Sequence, residues 1–157
     1  MRATGFSLIE LMVVLLIAAL VLAAGVPVLR DLSSEQQLAT AGNDFFHGVQ
    51  LTRSEALRAG RRAEMRPVED DDWQTGWQIS VGQQVLARHP PLAHGIAVAY
   101  TTGGELVAYQ PDGQPVTRGS WYFSSGVNSR AVVINFLGRV RICNPVLDNQ
   151  CSLAAPE

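Results

Sequence analysis

Arg139 and Arg141 stand two residues apart behind Gly138, in the string Gly138-Arg139-Val140-Arg141, and alternate with the aliphatic Val140 and Ile142. On an extended strand this spacing turns both guanidinium groups to one face and both aliphatic side chains to the other. A guanidinium presents several donors in one plane, so such a face suits phosphate oxygens. Arg118 and Arg130 lie upstream, on what read as neighbouring strands, and from Gly113 to Leu147 there are four arginines and no acid. The plainer alternative is that these arginines solvate a strand face, or pair with Glu64, Glu105 or the acidic run Glu69-Asp70-Asp71-Asp72.

The remaining reactive side chains carry less. Cys143 and Cys151 lie close together near the C-terminus with no odd thiol left over. In an exported domain the expected outcome is a disulfide closing this tail. No His lies near the pair, so a metal site there lacks ligands. His89 and His94 flank Pro90-Pro91 with no acid or cysteine near them and read as surface-loop histidines, while His47 falls in a helical stretch with a packing role at an interface. The acidic run reads as a solvated loop, because the glycine and distal glutamate of a calcium loop are missing in the needed register. Trp73 and Trp77 straddle Gly76 and read as covering a core edge rather than stacking on bases. No nucleophile elbow, phosphate loop or metalloprotease string is present, so neither enzymatic activity nor a metal or other cofactor is expected.

At 157 residues the chain has room for one globular domain with its own core. A net charge of −2 and a pI near 5.9 argue against a bulk electrostatic binder of nucleic acid, whose domain would be strongly basic. All 12 basic side chains are Arg, which genome base composition explains as readily as selection for bidentate contacts.

The elements that must position these residues begin with an apolar segment. Leu11 to Leu29 is a run of 19 residues without a charge. As a helix it reaches about 30 Å, the thickness of a bilayer core. A secretory signal peptide, with Arg2 as its basic region and small residues near Ala23, or a plain anchor would each account for the run alone. Glu10 weighs against both. An ionisable residue in a membrane segment costs roughly 2.5 to 3.5 kcal/mol at the helix centre, and so requires a partner.

Further on, Leu38, Ala41, Phe45, Val49 and Ala56 recur three, four or seven residues apart, which marks one face of an amphipathic helix. Pro27, with Gly25 before it, predicts a bend, and a dip in helicity is expected near Ser33 or Gly42. Gly60 is the expected stop. After it the helical period disappears, and apolar pieces between turn signals predict six to eight short antiparallel strands. Val132 to Phe136 reads as a strand with one buried face, and Gly138 permits a tight reversal into a last strand, Arg139 to Ile142.

The opening MRATGFSLIE joins a short basic leader, a glycine, an aromatic, a hydrophobic segment and a single acid at set spacings. It resembles the class III signal of type IV prepilins and of type II secretion pseudopilins. The order LTRSEALRAGRR, then DWQTGW, then a closing FLGRVRIC resembles the GspH/FimT group of minor pilins and pseudopilins over nearly the whole chain.

That resemblance implies an α+β fold, with a long N-terminal helix, half transmembrane and half amphipathic, packed on an antiparallel β-sheet or sandwich. The implied organisation is a leader over 1–5, a transmembrane helix over 6–29, its amphipathic continuation over 30–60 and a periplasmic β-rich domain over 61–157. It implies cleavage by a prepilin peptidase between Gly5 and Phe6, N-methylation of Phe6, and a role for Glu10 in meeting the positive N-terminus of a neighbouring subunit. The implied partners are other pilins or pseudopilins, the peptidase, the inner membrane before assembly, and then a pilus at the cell surface. In FimT-type pilins a glycine-arginine-any-arginine element near the C-terminus serves DNA binding in natural transformation. The resemblance carries that role to Gly138, Arg139 and Arg141, with Arg130 and Arg118 extending the patch. The rival expectation is a GspH-type pseudopilin of a type II secretion system, or an assembly-priming minor pilin, without DNA contact.

Overall fold

The structure is a computed structural model that describes residues 8–69, 71–101, 103–148 and 151, with only the helical backbone described over 24–31. The expectations at Gly5 and Phe6 lie outside the described residues, and at Gly25 and Pro27 the described backbone is helical.

One helix, α1, runs from Leu8 to Ala59 without the dip anticipated at Ser33 or Gly42. The chain divides into two compact units, Met1–Glu35 and Gln36–Glu157. In the first, every described side chain from Leu8 to Ala23 is exposed, most of them large and aliphatic. Among the described residues no helix is long and apolar enough to cross a membrane.

In the second unit α1 ends as its sequence predicts. Gly60 takes φ +60°, a left-handed conformation in which glycine has no Cβ to clash, and the Arg61 N–H returns to the Ala56 carbonyl at 3.3 Å. Eight strands follow: β1 (Ala63–Glu69), β2 (Asp72–Val81), β3 (Gln84–His89), β4 (Ala97–Tyr100), β5 (Val107–Tyr109), β6 (Gly119–Ser125), β7 (Asn128–Ile134) and β8 (Val140–Cys143). They form two four-stranded antiparallel sheets, ordered β3-β2-β1-β5 and β4-β6-β7-β8.

Both sheets meet the helix in one core. The apolar face of α1, at Leu38, Ala41, Phe45, Val49 and Ala56, is buried, as its spacing requires. Phe45 is the hub. Its ring lies 5.1 Å from Trp73 and 5.4 Å from Trp77 on the first sheet, and 5.4 Å from Trp121 and 5.3 Å from Phe123 on the second. Trp73 and Trp77 therefore occupy the centre of the core, where the sequence had placed them at an edge. The indoles of Trp73 and Trp121 share one acceptor, donating to the Gly104 carbonyl at 2.8 and 3.0 Å. Truncating Phe45 to Ala would remove contacts to both sheets, a change worth about 3 to 5 kcal/mol.

β7 differs from its expectation in two ways. Val132 and Ile134 face the main core, but Ala131 and Val133 on the other face are buried as well, against Cys151, Tyr122 and Cys143. Folding of the C-terminal tail over the outer face covers what alternation alone would leave wet. The strand also stops at Ile134, and Phe136 stands 71% exposed in the turn that follows.

Candidate functional site

The β7–β8 turn is built by Asn135. Its backbone N–H donates to the Arg139 carbonyl at 3.1 Å, and its carbonyl accepts from the Gly138 N–H at 3.0 Å. Its side-chain Oδ1 accepts from the N–H groups of Leu137 and Arg139, at 3.0 and 2.9 Å. Gly138 turns the chain at φ +75°, and a Cβ there would meet Pro115 Cδ at 3.1 Å as well as strain the backbone. From α1, Arg53 Nη1 donates to the Gly138 carbonyl at 3.2 Å, with its guanidinium carbon 5.9 Å from the centre of the Tyr109 ring. The glycine before the arginines is thus fixed by backbone, side chain and helix together.

Beyond the turn, Arg139 is exposed and Arg141 half-buried. Arg141 pairs with Val133, so it shares the outer face of the sheet, while Val140 and Ile142 pack toward the core. β8 is the edge of its sheet, and the four strands of that sheet contain two charged residues, Arg130 and Arg141, and no acid. Among the described residues no ion pair reaches the Arg139 side chain; Glu64 is engaged instead by Arg62 at 2.9 Å and Arg66 at 2.8 Å.

The other two candidate arginines differ from each other in where they lie. Arg130 pairs with Phe123, whose ring is fully buried in the main core, so it shares the inner face of β7 and lies opposite Arg141. A Cβ on Gly42 of α1 would lie 3.7 Å from the Arg130 Cβ, which puts the root of this side chain against the helix. The sequence placed Arg130 on a neighbouring strand correctly, but one residue of alternation sends it to the other face. Arg118, just before β6, is exposed and lines a recess with Arg62 and Glu105.

Cys143 and Cys151 form a disulfide, with Cα atoms 5.7 Å apart. Glu10 lies on α1 and is exposed. His89 is no loop histidine: it ends β3, its ring stacks on Trp77 at 3.9 Å, and its Nε2 lies 3.2 Å from Asp44 Oδ2. Only the register of β3 against β2, which sets Trp77 opposite His89, brings this about. His47 projects from the exposed side of α1 beside Phe46 rather than into an interface within the chain. Among the described residues no group of metal-ligating side chains gathers. Behind the site, Tyr109 is fully buried, its hydroxyl has no partner among the described residues, and burial pushes it up to about 12 against the opposing charge of Arg53.

The family described as Type II transport protein GspH matches residues 41–138, more than half of the chain. The chain belongs to this family. The prokaryotic N-terminal methylation motif matches residues 1–26 of the same GspH-family chain. Among solved structures it is similar to the type IV minor pilin FimU of Pseudomonas aeruginosa, with a TM-score of 0.65 and 20% identity over 73% of this chain and 94% of that one. It is also similar to the minor pseudopilin EpsH of the type 2 secretion system of Vibrio cholerae, with a TM-score of 0.56 and 13% identity over 69% of this chain and 98% of that one. At these identities the likeness is one of fold. No curated protein sequence matches. The GspH-family chain thus has the α+β fold of these pilin-like structures, a helix packed on antiparallel sheets.

Proposed function

We propose that this GspH-family chain is a minor pilin that contacts DNA without sequence preference through Arg139 and Arg141, in DNA uptake by a pilus. The observation that carries the reading is an exposed Arg139, with no ion pair among the described residues, on a tightly held turn at the edge of a sheet whose strands hold no acidic residue. The backbone at Arg139 is held in place, a guanidinium's planar fork is pre-organised for phosphate oxygens, and phosphate contacts carry no sequence information. Arg118 adds charge from the start of β6; Arg130, on the inner face, does not extend the patch. In this reading the chain is cut by a prepilin peptidase after Gly5 and methylated on Phe6, as the motif over residues 1–26 supports. Residues 6–29 hold the subunit in the inner membrane, residues 30–60 continue that helix, and residues 61–157 stand in the periplasm. The exposed aliphatic side chains from Leu8 to Val21 favour this, since in water so long an apolar surface would be buried. On assembly Glu10 meets the N-terminus of a neighbouring pilin, a charge to answer its own.

Gel retardation of DNA by the full chain in nonionic detergent tests the reading. Wild type should retard DNA, with affinity falling with salt at a slope of about 0.9 per phosphate neutralised. Arg139→Ala with Arg141→Ala should abolish retardation and leave the thermal unfolding curve in place. A second reading, a GspH-type pseudopilin of a secretion system with no DNA contact, is favoured by the family description and by the likeness to EpsH. Retardation by neither protein would decide for it, while equal retardation by wild type and double mutant would overturn the assignment to Arg139 and Arg141.

A further inference from the structure

The β7–β8 turn carries a second exposed chemistry. Phe136 is the only exposed Phe, Tyr or Trp among the described residues, at 71%, and Leu137 beside it is 65% exposed. The three tryptophans are spent on the core, each at 2% exposure or less, so no indole is left to meet a ligand. This exposure is not that of a loose loop. Asn135 Oδ1 accepts from the N–H groups on both sides of the tip, Leu137 at 3.0 Å and Arg139 at 2.9 Å, and Arg53 holds the Gly138 carbonyl from behind. Folding gains little from an aromatic ring held out in water on a fixed turn.

Resting on the backbone-contact reading above, we infer that Phe136 is a base-stacking residue and that the DNA this hairpin prefers is single-stranded. The Phe136 Cα lies within about 11 Å of the Arg139 Cα even at full chain extension, and closer across a tight turn. One hairpin thus offers a flat apolar face and, three residues on, a cation, the pairing with which non-specific single-strand binders meet base and phosphate together. A duplex presents the phosphates but hides the faces of its bases, and opening a step to admit a side chain is repaid only where bending brings much more protein surface into contact. One exposed ring brings no such surface. A single strand offers its base faces freely, and every base has one, so the stacking is as indifferent to sequence as the arginine contacts.

The test measures binding of the full chain in nonionic detergent to a labelled single strand and to a duplex of equal length, at one salt concentration. Wild type should bind the single strand more tightly. Phe136→Ala should lower single-strand affinity by roughly 5- to 100-fold and leave duplex affinity nearly unchanged. Phe136→Trp should keep single-strand binding, with its added indole fluorescence quenched by the bases. The substituted residue is exposed, and thermal unfolding checks that each variant folds as wild type does. Unchanged single-strand affinity in Phe136→Ala would overturn the stacking role, while a surviving effect of the Arg139→Ala, Arg141→Ala pair would preserve the backbone reading. Loss of binding to vesicles of anionic lipid in Phe136→Ala, with single-strand binding intact, would assign the ring to a membrane surface and overturn the proposal. Failure of wild type to bind either DNA would overturn both readings.

Discussion

Arg53 Nη1 donates to the Gly138 carbonyl at 3.2 Å, tying the long helix to a turn 85 residues further along the chain. Arg53 touches no ligand in the proposed role; it positions the turn from which Arg139 and Phe136 project. Arg53→Met keeps the aliphatic stem and removes the donor, leaving that carbonyl to find another partner. The substitution should lower stability by about 1 to 3 kcal/mol in urea unfolding. It should also weaken DNA retardation, by less than the Arg139→Ala, Arg141→Ala pair does. A structural role confined to packing would lower stability without moving the retardation.

Much of this arrangement was legible in the sequence. The helical face from Leu38 to Ala56 and its stop at Gly60 follow from periodicity and one glycine, and the apolar pieces after it each became a strand. Period-two alternation also put Arg141 opposite Val140 and Ile142. What stayed hidden depends on pairing between distant segments. Arg130 is an ordinary strand residue until the register against β6 sets it opposite Phe123 and so turns it inward. Arg53 reads as the wetter side of a helix, and nothing local says that a carbonyl from the last hairpin will meet it. Phe136 continues the apolar alternation of β7 on paper, and only the hydrogen bonds of Asn135 end the strand and turn the ring outward.

Two glycines of α1 should respond to alanine with opposite signs. In a helix interior Ala is favoured over Gly by about 1 kcal/mol. At Gly42 a new Cβ would have its nearest contact at 3.7 Å, on the Arg130 Cβ, which is ordinary packing. Gly42→Ala should therefore stabilise by about 0.5 to 1 kcal/mol. At Gly48 the Cβ would approach Met65 Sδ to 2.8 Å and Trp77 Nε1 to 3.0 Å, both on fully or almost fully buried side chains. Overpacking of that kind costs about 1 to 3 kcal/mol and outweighs the helix gain. Thermal unfolding of the two variants side by side checks the prediction; a stabilised Gly48→Ala would mean that Met65 swings aside freely.

Reduction of the disulfide should be felt in β7 as well as in the tail. Cys143 and Cys151 are eight residues apart, so the closed loop is short, and the chain-entropy estimate of its worth is about 2.5 kcal/mol. Cys151 also covers Ala131 and Val133, which its release would expose. Dithiothreitol, or a double Cys→Ser variant, should lower stability by about 2 kcal/mol and speed amide hydrogen exchange along β7 and β8 before β1 and β2. Uniform exchange across both sheets would show that the tail does not protect the outer face locally.

Tyr109 should set an alkaline limit on stability. Its ring is fully buried behind Gly138, and burial pushes its ionisation up to about 12, with Arg53 pulling the other way. In the unfolded chain a tyrosine ionises near pH 10. Between these values the unfolded state loses a proton that the folded state keeps, so stability is intact below about pH 10 and falls as pH rises towards about 12. Tyr109→Phe removes this contribution, and because the hydroxyl has no partner among the described residues, its loss at neutral pH should be neutral or stabilising. Tyr100 is also raised by burial, so some alkaline slope should survive in the variant. Urea unfolding at pH 7 and at pH 11 measures the difference between wild type and Tyr109→Phe. Wild type should lose more stability across that interval, and equal losses would mean that the Tyr109 hydroxyl reaches solvent or finds a partner in the folded protein.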